Sequence, residues 1–366
     1  MPKDRISPNA PSGQTTRSRR RSLWLWFGWL AGLLALLWVL RDFDLERLRT
    51  VLATADYRLL LPLPFLIAFE QLIRAFKWRQ FLYVLRPVGV WRLFGAIMVG
   101  YLSNHVVPVR VSPLVRAWLV ARLEEMRVST VLASIALDRI VDGFVFVGFT
   151  VAALAFVGFP DEAGTVREGL VWGGAGSLAV FSALVAGLLV LRRIAARGTV
   201  LPKMLLRRLP DRLARPIDAF AVLFAEGIVL PREGWRRAMI VTASVAIKIV
   251  ATLHLVFAGL AFGVSLAPME YVFIMVFLGF LIILAGMLHI VGGFTVGAVF
   301  VLGGFGVDVE TALAMAVIVQ AASFLTLAAT GAIALWVEGI SLGELRARGA
   351  ELTSRKVTRQ ADAESD

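Results

Sequence analysis

The feature that most constrains this chain is the length of its uncharged stretches. Residues 271–307 contain no Asp, Glu, Lys or Arg over 37 consecutive positions, and residues 170–191 and 311–337 are also free of these charges. A helix of about 20 apolar residues, rising about 1.5 Å per residue, crosses a hydrocarbon core roughly 30 Å thick. Such stretches are longer than the core of a soluble domain needs, so they predict membrane-spanning helices.

Composition excludes several classes of function. The net charge of +12 is almost entirely arginine and lies between the hydrophobic stretches, which the positive-inside rule explains without nucleic acid. The absence of cysteine excludes disulfides, a thiolate nucleophile and zinc–thiolate clusters, and the three histidines do not favour a metal site. No nucleotide-binding loop or nucleophile motif is present. We therefore expect no cofactor, no metal and no catalytic residue.

Hydrophobicity divides the chain into a membrane domain and two tails. Residues 1–22 are predicted to be a disordered basic tail, residues 23–340 the membrane domain and residues 341–366 a second tail. The first apolar segment is longer than a signal-peptide core and lacks a small-residue cleavage site after it, so we expect it to be retained. The predicted complete spans are 23–40, 59–81, 130–157, 170–191, 238–262 and 312–337.

Charge in the connecting segments predicts the orientation. Residues 192–237 hold eleven Lys and Arg against four Asp and Glu, and residues 1–22 hold six against one. Acidic residues predominate in residues 161–169, 263–270 and 308–310. We therefore predict that residues 192–237 and both termini are cytoplasmic in a bacterial inner membrane.

Counting the crossings leaves two charge-poor stretches that cannot cross. Residues 93–109 begin and end on the predicted cytoplasmic side, and residues 271–307 begin and end on the external side. We expect both to be re-entrant hairpins or half-helices, with Gly292 and Gly293 as the hinge of the second. Hairpins that enter from opposite sides are typical of inverted-topology repeats in transporters. The sequence predicts an all-α polytopic membrane protein with six to eight transmembrane helices and two re-entrant hairpins.

The first candidate site follows the first predicted hairpin. Pro108 and Pro113 prevent a continuous helix there and act as hinges, and a broken helix frees backbone N–H groups that can hold an anion. Nearby arginines offer planar donors suited to phosphate. One interpretation is a binding site for a lipid phosphate, and the other is a pair of cytoplasmic anchors beside a proline turn. The predicted ligands are Asn104, His105, Arg110 and Arg116.

Charged residues within predicted helices form the second candidate site. Asp138 and Asp142 share a helix face at i, i+4, and Arg139 can reach Asp142 at i, i+3. This group is interpreted as a structural or gating ion pair, with an acid–base pair or a cation site as the alternatives. Glu70 and Arg74, also at i, i+4, form a self-neutralising pair.

Two further groups of cations have different interpretations. Lys248 lies eleven residues after Arg237, about 16 Å along a helix, which is deep for a side chain that reaches back to the surface. A role for Lys248 in proton or headgroup handling is one interpretation. Residues 77–79, Lys-Trp-Arg, are interpreted as anchors at the membrane interface.

Taken together, these motifs resemble one family over residues 25–340. The resemblance is to the lysylphosphatidylglycerol synthase transmembrane, or flippase-like, family. It implies a membrane domain that moves lipids, which in the best-understood relatives are aminoacylated phosphatidylglycerols, while other relatives are linked to hopanoid, dolichol or glycan-lipid pathways. The motifs are Arg74-x-x-Lys77-Trp78-Arg79, Asn104-x-x-x-Pro108-x-Arg110 followed by Arg116, Asp138-Arg139-x-x-Asp142 and Gly292-Gly293-Phe294.

The chain departs from the family pattern at two places. Ser112 and Pro113 stand where a Gly-Glu pair usually follows, and Ala298 stands near the position of a usual late glutamate. The chain also shows no counterpart of the cytosolic aminoacyl-transferase domain of longer relatives, so we do not expect it to make lysyl-lipid itself.

Motifs and resemblance together predict a translocase of a lipid or lipid-linked headgroup. Its expected partners are membrane lipids of the anionic phospholipid or polyprenyl-phosphate type. The alternatives are a membrane-embedded transferase or accessory subunit in lipid-glycan synthesis, and a scaffold without transport.

Overall fold

The computed structural model describes most of the membrane domain. Of the predicted segments, the tail at 1–22 and the span at 23–40 lie outside the described residues, as do most of the span at 170–191 and of the tail at 341–366. The described residues are 44–106, 112–157, 229–288 and 292–339, with isolated positions between 171 and 193 and between 341 and 344.

The regular structure of the described residues is entirely helical. A single 3-10 turn, Tyr57–Leu60, precedes the second helix. The α-helices are α1 (Leu45–Thr54), α2 (Leu63–Leu82), α3 (Val90–Val106), α4 (Ser112–Leu123), α5 (Val128–Phe156), α6 (Gly234–Ala261), α7 (Pro268–Leu288), α8 (Gly293–Gly303) and α9 (Val309–Val337).

Four described segments are long and apolar enough to cross a membrane. They confirm four of the six predicted spans to within a few residues. The fold is therefore that of an all-α polytopic membrane protein, as predicted. The four segments are Tyr57–Leu82, Val128–Phe156, Gly234–Ala261 and Val309–Val337.

Local sequence explains where several helices begin and end. Asp44 caps α1, because its Oδ1 accepts a hydrogen bond from Glu46 N at 2.9 Å. A proline in the first turn starts α2, at a position where the missing N–H has no intrahelical partner to lose. Gly263 ends α6 with a φ of 72°, and the next residue, Val264, donates its N–H to Gly259 O at 2.8 Å.

Helices α3 and α4 form the first hairpin. Arg92, near the start of α3, pairs with Glu124, which directly follows α4, at 2.8 Å between Nη1 and Oε1. Deeper in, a Cβ on Gly100 would lie 2.9 Å from Ser112 Oγ, so the two limbs pack closely near their turn. The chain therefore enters with α3 and returns to the same end with α4.

The bounds predicted for the first hairpin were wrong. Residues 93–109 were expected to enter and return, but α3 alone fills 90–106 and the return limb is α4. Arg116 and Arg122 interrupt the hydrophobicity of α4, so this limb resembled a cytoplasmic connection. Pro113 does not break it, because it lies in the first turn, where proline is tolerated.

Helices α7 and α8 form the second hairpin, as predicted for residues 271–307. The rings of Phe273, in the first turns of α7, and Phe305, just after α8, meet edge to face with centroids 5.7 Å apart. Farther along, the rings of Phe277 and Phe300 stack at 6.0 Å. The chain thus returns to the end at which α7 began.

The two hairpins enter from opposite ends of the molecule. Helices α2 and α6 are antiparallel, because Arg236 donates to Gln80 Oε1 at 2.9 Å at one end and Asp56 N donates to Ala261 O at 2.8 Å at the other. The end at which α2 finishes is called the basic end, and it carries Arg86, Arg92, Arg122 and Arg236. The opposite, acidic end carries Asp44, Asp56, Glu270, Asp308 and Glu310.

This arrangement repeats one unit in inverted orientation. The first unit is α2, the first hairpin and α5, and the second is α6, the second hairpin and α9. Both α5 and α6 run from the basic to the acidic end. Each hairpin lies at the centre of its own hydrophobic cluster. Large apolar side chains such as Phe65 and Trp336 remain exposed on the outer faces, as expected for lipid contact.

Candidate functional site

A buried ammonium group joins α2 to α5. Lys77 has no exposed surface, and its Nζ lies 2.8 Å from Asp138 Oδ1 and also hydrogen-bonds to Asp142 Oδ1. The contact with Asp138 is an ion pair without hydrogen-bond alignment. Both carboxylates face the same cation because their i, i+4 spacing places them on one face of α5.

Arg74 extends this network by one helical turn. Its Nη2 lies 2.9 Å from Glu70 Oε1, and its Nη1 lies 3.4 Å from Asp142 Oδ2. Its Nε donates to Gln71 Oε1 at 3.1 Å. The Glu70–Arg74 pair thus forms as the spacing indicates, and it is connected to α5 through Asp142. The cluster holds three carboxylates and two cations, all close to fully buried.

The predicted contact between Arg139 and Asp142 was wrong, because Asp142 has other partners. Successive helix residues are separated by about 100°, so Arg139 lies on another face of α5 and its side chain is exposed. Asp142 instead meets the cations of α2. The position of Lys77 was also wrong, because a residue expected to anchor the protein at the interface lies fully buried.

A cavity of about 510 Å³, with a mostly apolar lining and a few polar side chains, lies beside this cluster, between α5, α6, α9 and the second hairpin. Lys248 lines it, with Nζ 5.1 Å from the ring centroid of Phe146. His254 lines it too, and its Nδ1 lies 4.0 Å from Glu70 Oε2, which connects the cavity to the charged cluster. The predicted hinge residues Gly292 and Gly293 stand at the start of α8 on the same wall.

One of the two arginines of the first candidate site is deeply buried. Arg116 lies on α4 with 3% of its surface exposed, and its guanidinium carbon is 5.6 Å from the ring centroid of Trp78. Its Nε has no hydrogen-bond partner. Because α4 is a limb of the hairpin, Arg116 lies near the turn of the hairpin. The sequence had predicted it at the cytoplasmic exit of the hairpin.

Only part of the predicted phosphate site can be described. Asn104 Oδ1 accepts a hydrogen bond from Ser112 N at 3.0 Å, so this side chain caps the start of α4. Pro108 and Arg110 lie outside the described residues, and of His105 only the backbone is described. The structure therefore brings Asn104 and Arg116 to the same hairpin turn.

Comparison with known proteins supplies the family. A family model described as the lysylphosphatidylglycerol synthase TM region matches residues 25–331. The chain belongs to this family. No curated protein and no solved structure matches the chain.

Two of the motifs shared with the lysylphosphatidylglycerol synthase transmembrane family meet in space. Lys77 comes from the motif of α2, and Asp138 and Asp142 come from the motif of α5. The chain's departures from the family pattern lie in the hairpins. Ser112 begins α4, and Ala298 is buried in the apolar cluster of α8.

Several residues of the site were not recognised in the sequence. Lys77 follows Glu70 and Arg74 at i+7 and i+3, a spacing that places all three on one helix face and was the available signal. Gln320 gave no such signal, because only the packing of α6, α8 and α9 makes it line the cavity.

Proposed function

We propose that this protein translocates the headgroup of a lipid or lipid-linked compound across a bacterial inner membrane. The observation that carries the proposal is the buried charged cluster beside a cavity that contains Lys248 and His254, in a fold whose two hairpins enter from opposite ends. A charged group at the centre of a bilayer costs about 3 kcal/mol or more, and polar side chains along a protein path lower that cost. Membership in the lysylphosphatidylglycerol synthase family supports a lipid as the compound that moves.

The proposed orientation has the basic end in the cytoplasm. Arginine predominates there in the connections after α2 and before α6, and the positive-inside rule retains such segments. In this orientation the first hairpin opens to the cytoplasm and the second to the exterior. A headgroup in the cytoplasmic leaflet then meets the turn of the first hairpin, and a headgroup in the external leaflet meets the turn of the second.

The residues have different proposed roles. Asn104, His105, Arg110 and Arg116 contact the phosphate at the first hairpin, and the ion pairs of Asp138 and Asp142 hold α2 against α5 and gate the path. Arg116 supports the first role, because its buried Nε has no hydrogen-bond partner among the described residues.

A transferase is the competing function. It needs a carboxylate that is free to act as a base, and Asp138 and Asp142 form an acid pair on one face of α5. Both are ion-paired to Lys77, and Asp142 is also paired to Arg74. This pairing favours transport over transfer chemistry.

Leaflet-specific lipid analysis of a deletion strain separates the two functions. Intact cells are labelled with an impermeant headgroup reagent, and all lipids are then quantified by mass spectrometry. A translocase predicts that one anionic or polyprenyl-phosphate lipid becomes less accessible from outside while its total amount is unchanged. A transferase predicts that a lipid product is lost and its precursor accumulates. Unchanged amounts and unchanged accessibility of all lipids would contradict both.

A further inference from the structure

The cavity beside the second hairpin has a mostly apolar lining, and several hydrogen-bond donors interrupt it. Lys248 contributes an ammonium group, and no ion pair joins it to a carboxylate of the described residues. Gln320 Oε1 lies 3.4 Å from Thr295 Oγ1, which donates to it and leaves the amide N–H₂ of Gln320 as its remaining polar group. Among the described residues, no Asp or Glu lines the cavity. This chemistry suits an anion and does not suit a cationic group.

The start of α8 adds a second source of positive potential. Gly292 precedes α8 with a φ of 78°, and no side chain of the described residues caps the helix. The first N–H groups of a helix have no intrahelical partner, and the helix dipole favours negative charge beside them. The first hairpin differs at the equivalent point, because Asn104 already caps α4 there. The uncapped helix start is therefore that of α8, at the turn of the second hairpin, and it lines the cavity.

His254 is an independent sign that a ligand belongs in this cavity. The residue is 7% exposed, and its Nε2 is buried without a hydrogen-bond partner among the described residues. A buried polar atom without a partner destabilises the protein by roughly the free energy of desolvating that atom. A ligand that hydrogen-bonds to the atom is therefore favoured. Because Nδ1 is directed at the Glu70 carboxylate, Nε2 becomes a donor to an anion when the imidazole carries a second proton there.

We propose that this cavity is a binding site for a phosphate-type anion, held between Lys248, His254 and the N-terminus of α8. The site deepens the proposed function, on which the assignment of the phosphate to a lipid headgroup rests. Its volume of about 510 Å³ lies within the range of roughly 300–1,000 Å³ usual for small-molecule sites, so more than a bare phosphate fits.

Binding to purified full-length protein in detergent tests the site. The probes are dioctanoyl phosphatidylglycerol and inorganic phosphate, each titrated separately against the wild type and three variants. Lys248→Gln removes the charge, Lys248→Arg restores it, and Arg237→Gln removes a charge from the exposed first turn of the same helix as a matched control. The melting temperature of each variant without probe verifies that it folds.

We expect Lys248→Gln to weaken binding by about ten- to a hundredfold, because a hydrogen bond to a charged group is lost. Lys248→Arg and Arg237→Gln should bind within about threefold of the wild type. Binding of the lipid alone assigns the site to a headgroup, and binding of both probes assigns it to phosphate in general. The proposal is overturned if the wild type binds neither probe, or if Lys248→Gln binds as tightly as the wild type.

A second readout separates this proposal from the proposed function. Lipid scrambling is measured in vesicles that contain the same variants. Binding that depends on Lys248 without any scrambling supports the site and contradicts translocation. Scrambling by the wild type with unchanged binding in Lys248→Gln supports translocation and contradicts the site.

Discussion

At the scale of single residues, the buried ammonium of Lys77 is the most consequential group. Its single charge is shared between Asp138 and Asp142, and all three residues are buried. A buried ion pair contributes little net stability compared with apolar residues, but removal of one partner leaves an uncompensated charge. The cluster therefore fixes which faces of α2 and α5 meet.

Replacement of this ammonium should destabilise the protein. We expect Lys77→Met to lower the free energy of unfolding by about 3–5 kcal/mol, because both carboxylates lose their shared cation. The measurement is an unfolding titration in detergent micelles. Adding Asp138→Asn to Lys77→Met should recover part of the loss, and Arg58→Met at an exposed position is the control. Equal stability of Lys77→Met and wild type would show that the cluster is not a structural link.

Asn104 offers a test of structure against ligand binding. Because its Oδ1 caps α4, Asn104→Ala should cost about 1 kcal/mol of stability, and Asn104→Asp should retain most of it. A loss of lipid binding with unchanged stability would instead support the direct contact with a phosphate. Both quantities are measured on the same purified samples.

We expect the role of Arg116 to require a planar guanidinium, which lysine does not provide. It lies 5.6 Å from the ring of Trp78, where arginine can stack and also donate two parallel hydrogen bonds to a phosphate. We expect Arg116→Lys to reduce lipid scrambling by about tenfold at unchanged expression, an effect of one charged hydrogen bond. Arg110→Lys should add to the effect. Full activity of the double lysine variant would favour the interpretation of these arginines as anchors.

At the scale of helices, the hairpins follow from charge and length. The second was predictable because residues 271–307 are long, uncharged and bounded on both sides by acidic segments. The return limb of the first was hidden, because Arg116 lies buried against Trp78 where only the folded structure supplies a neighbour. Lys77 was misjudged for the same reason, since its partners are about 60 residues away in the sequence.

The contact of α3 with α9 depends on a glycine. A Cβ on Gly331 would lie 2.8 Å from Leu102 Cβ and 2.9 Å from Met98 O, which is closer than real contacts allow. We expect Gly331→Ala to destabilise the protein by about 1–3 kcal/mol, because α3 and α9 must move apart. Gly95→Ala is the matched control on the same interface, where the nearest atom is 3.8 Å away and alanine should be neutral or stabilising. Equal effects of the two substitutions would contradict this packing.

At the scale of the whole molecule, two inverted units build the membrane domain. Parity of the crossings indicated this from sequence, because both hairpins had to return to the end from which they entered. The pairing of α2 with α6 was beyond sequence reasoning, since it joins residues about 150 positions apart through contacts such as Arg236 with Gln80. The cavity depends on such pairings, so its lining residues could not be found from spacing.

The proposed orientation is tested by labelling single cysteines. The chain has no native cysteine, so each introduced thiol reports alone. Ser7→Cys, Thr199→Cys and Ser354→Cys should resist an impermeant thiol reagent in intact cells, and Ser265→Cys, in the exposed connection between α6 and α7, should react. Permeabilised cells, in which all four should react, are the control. Labelling of Thr199→Cys from outside would reverse the orientation.

The most direct measurement of the central claim is headgroup movement by the purified protein. Vesicles are prepared with fluorescent phosphatidylglycerol, and an impermeant quencher removes the signal of the outer leaflet. In vesicles without protein, about half of the signal should persist, because unaided flipping of a charged headgroup is slow. With the wild type we expect the signal to fall well below half, and with Lys248→Gln or Arg116→Lys to fall more slowly. A wild-type signal that remains at the level of protein-free vesicles, for phosphatidylglycerol and for total bacterial lipid, would contradict translocation.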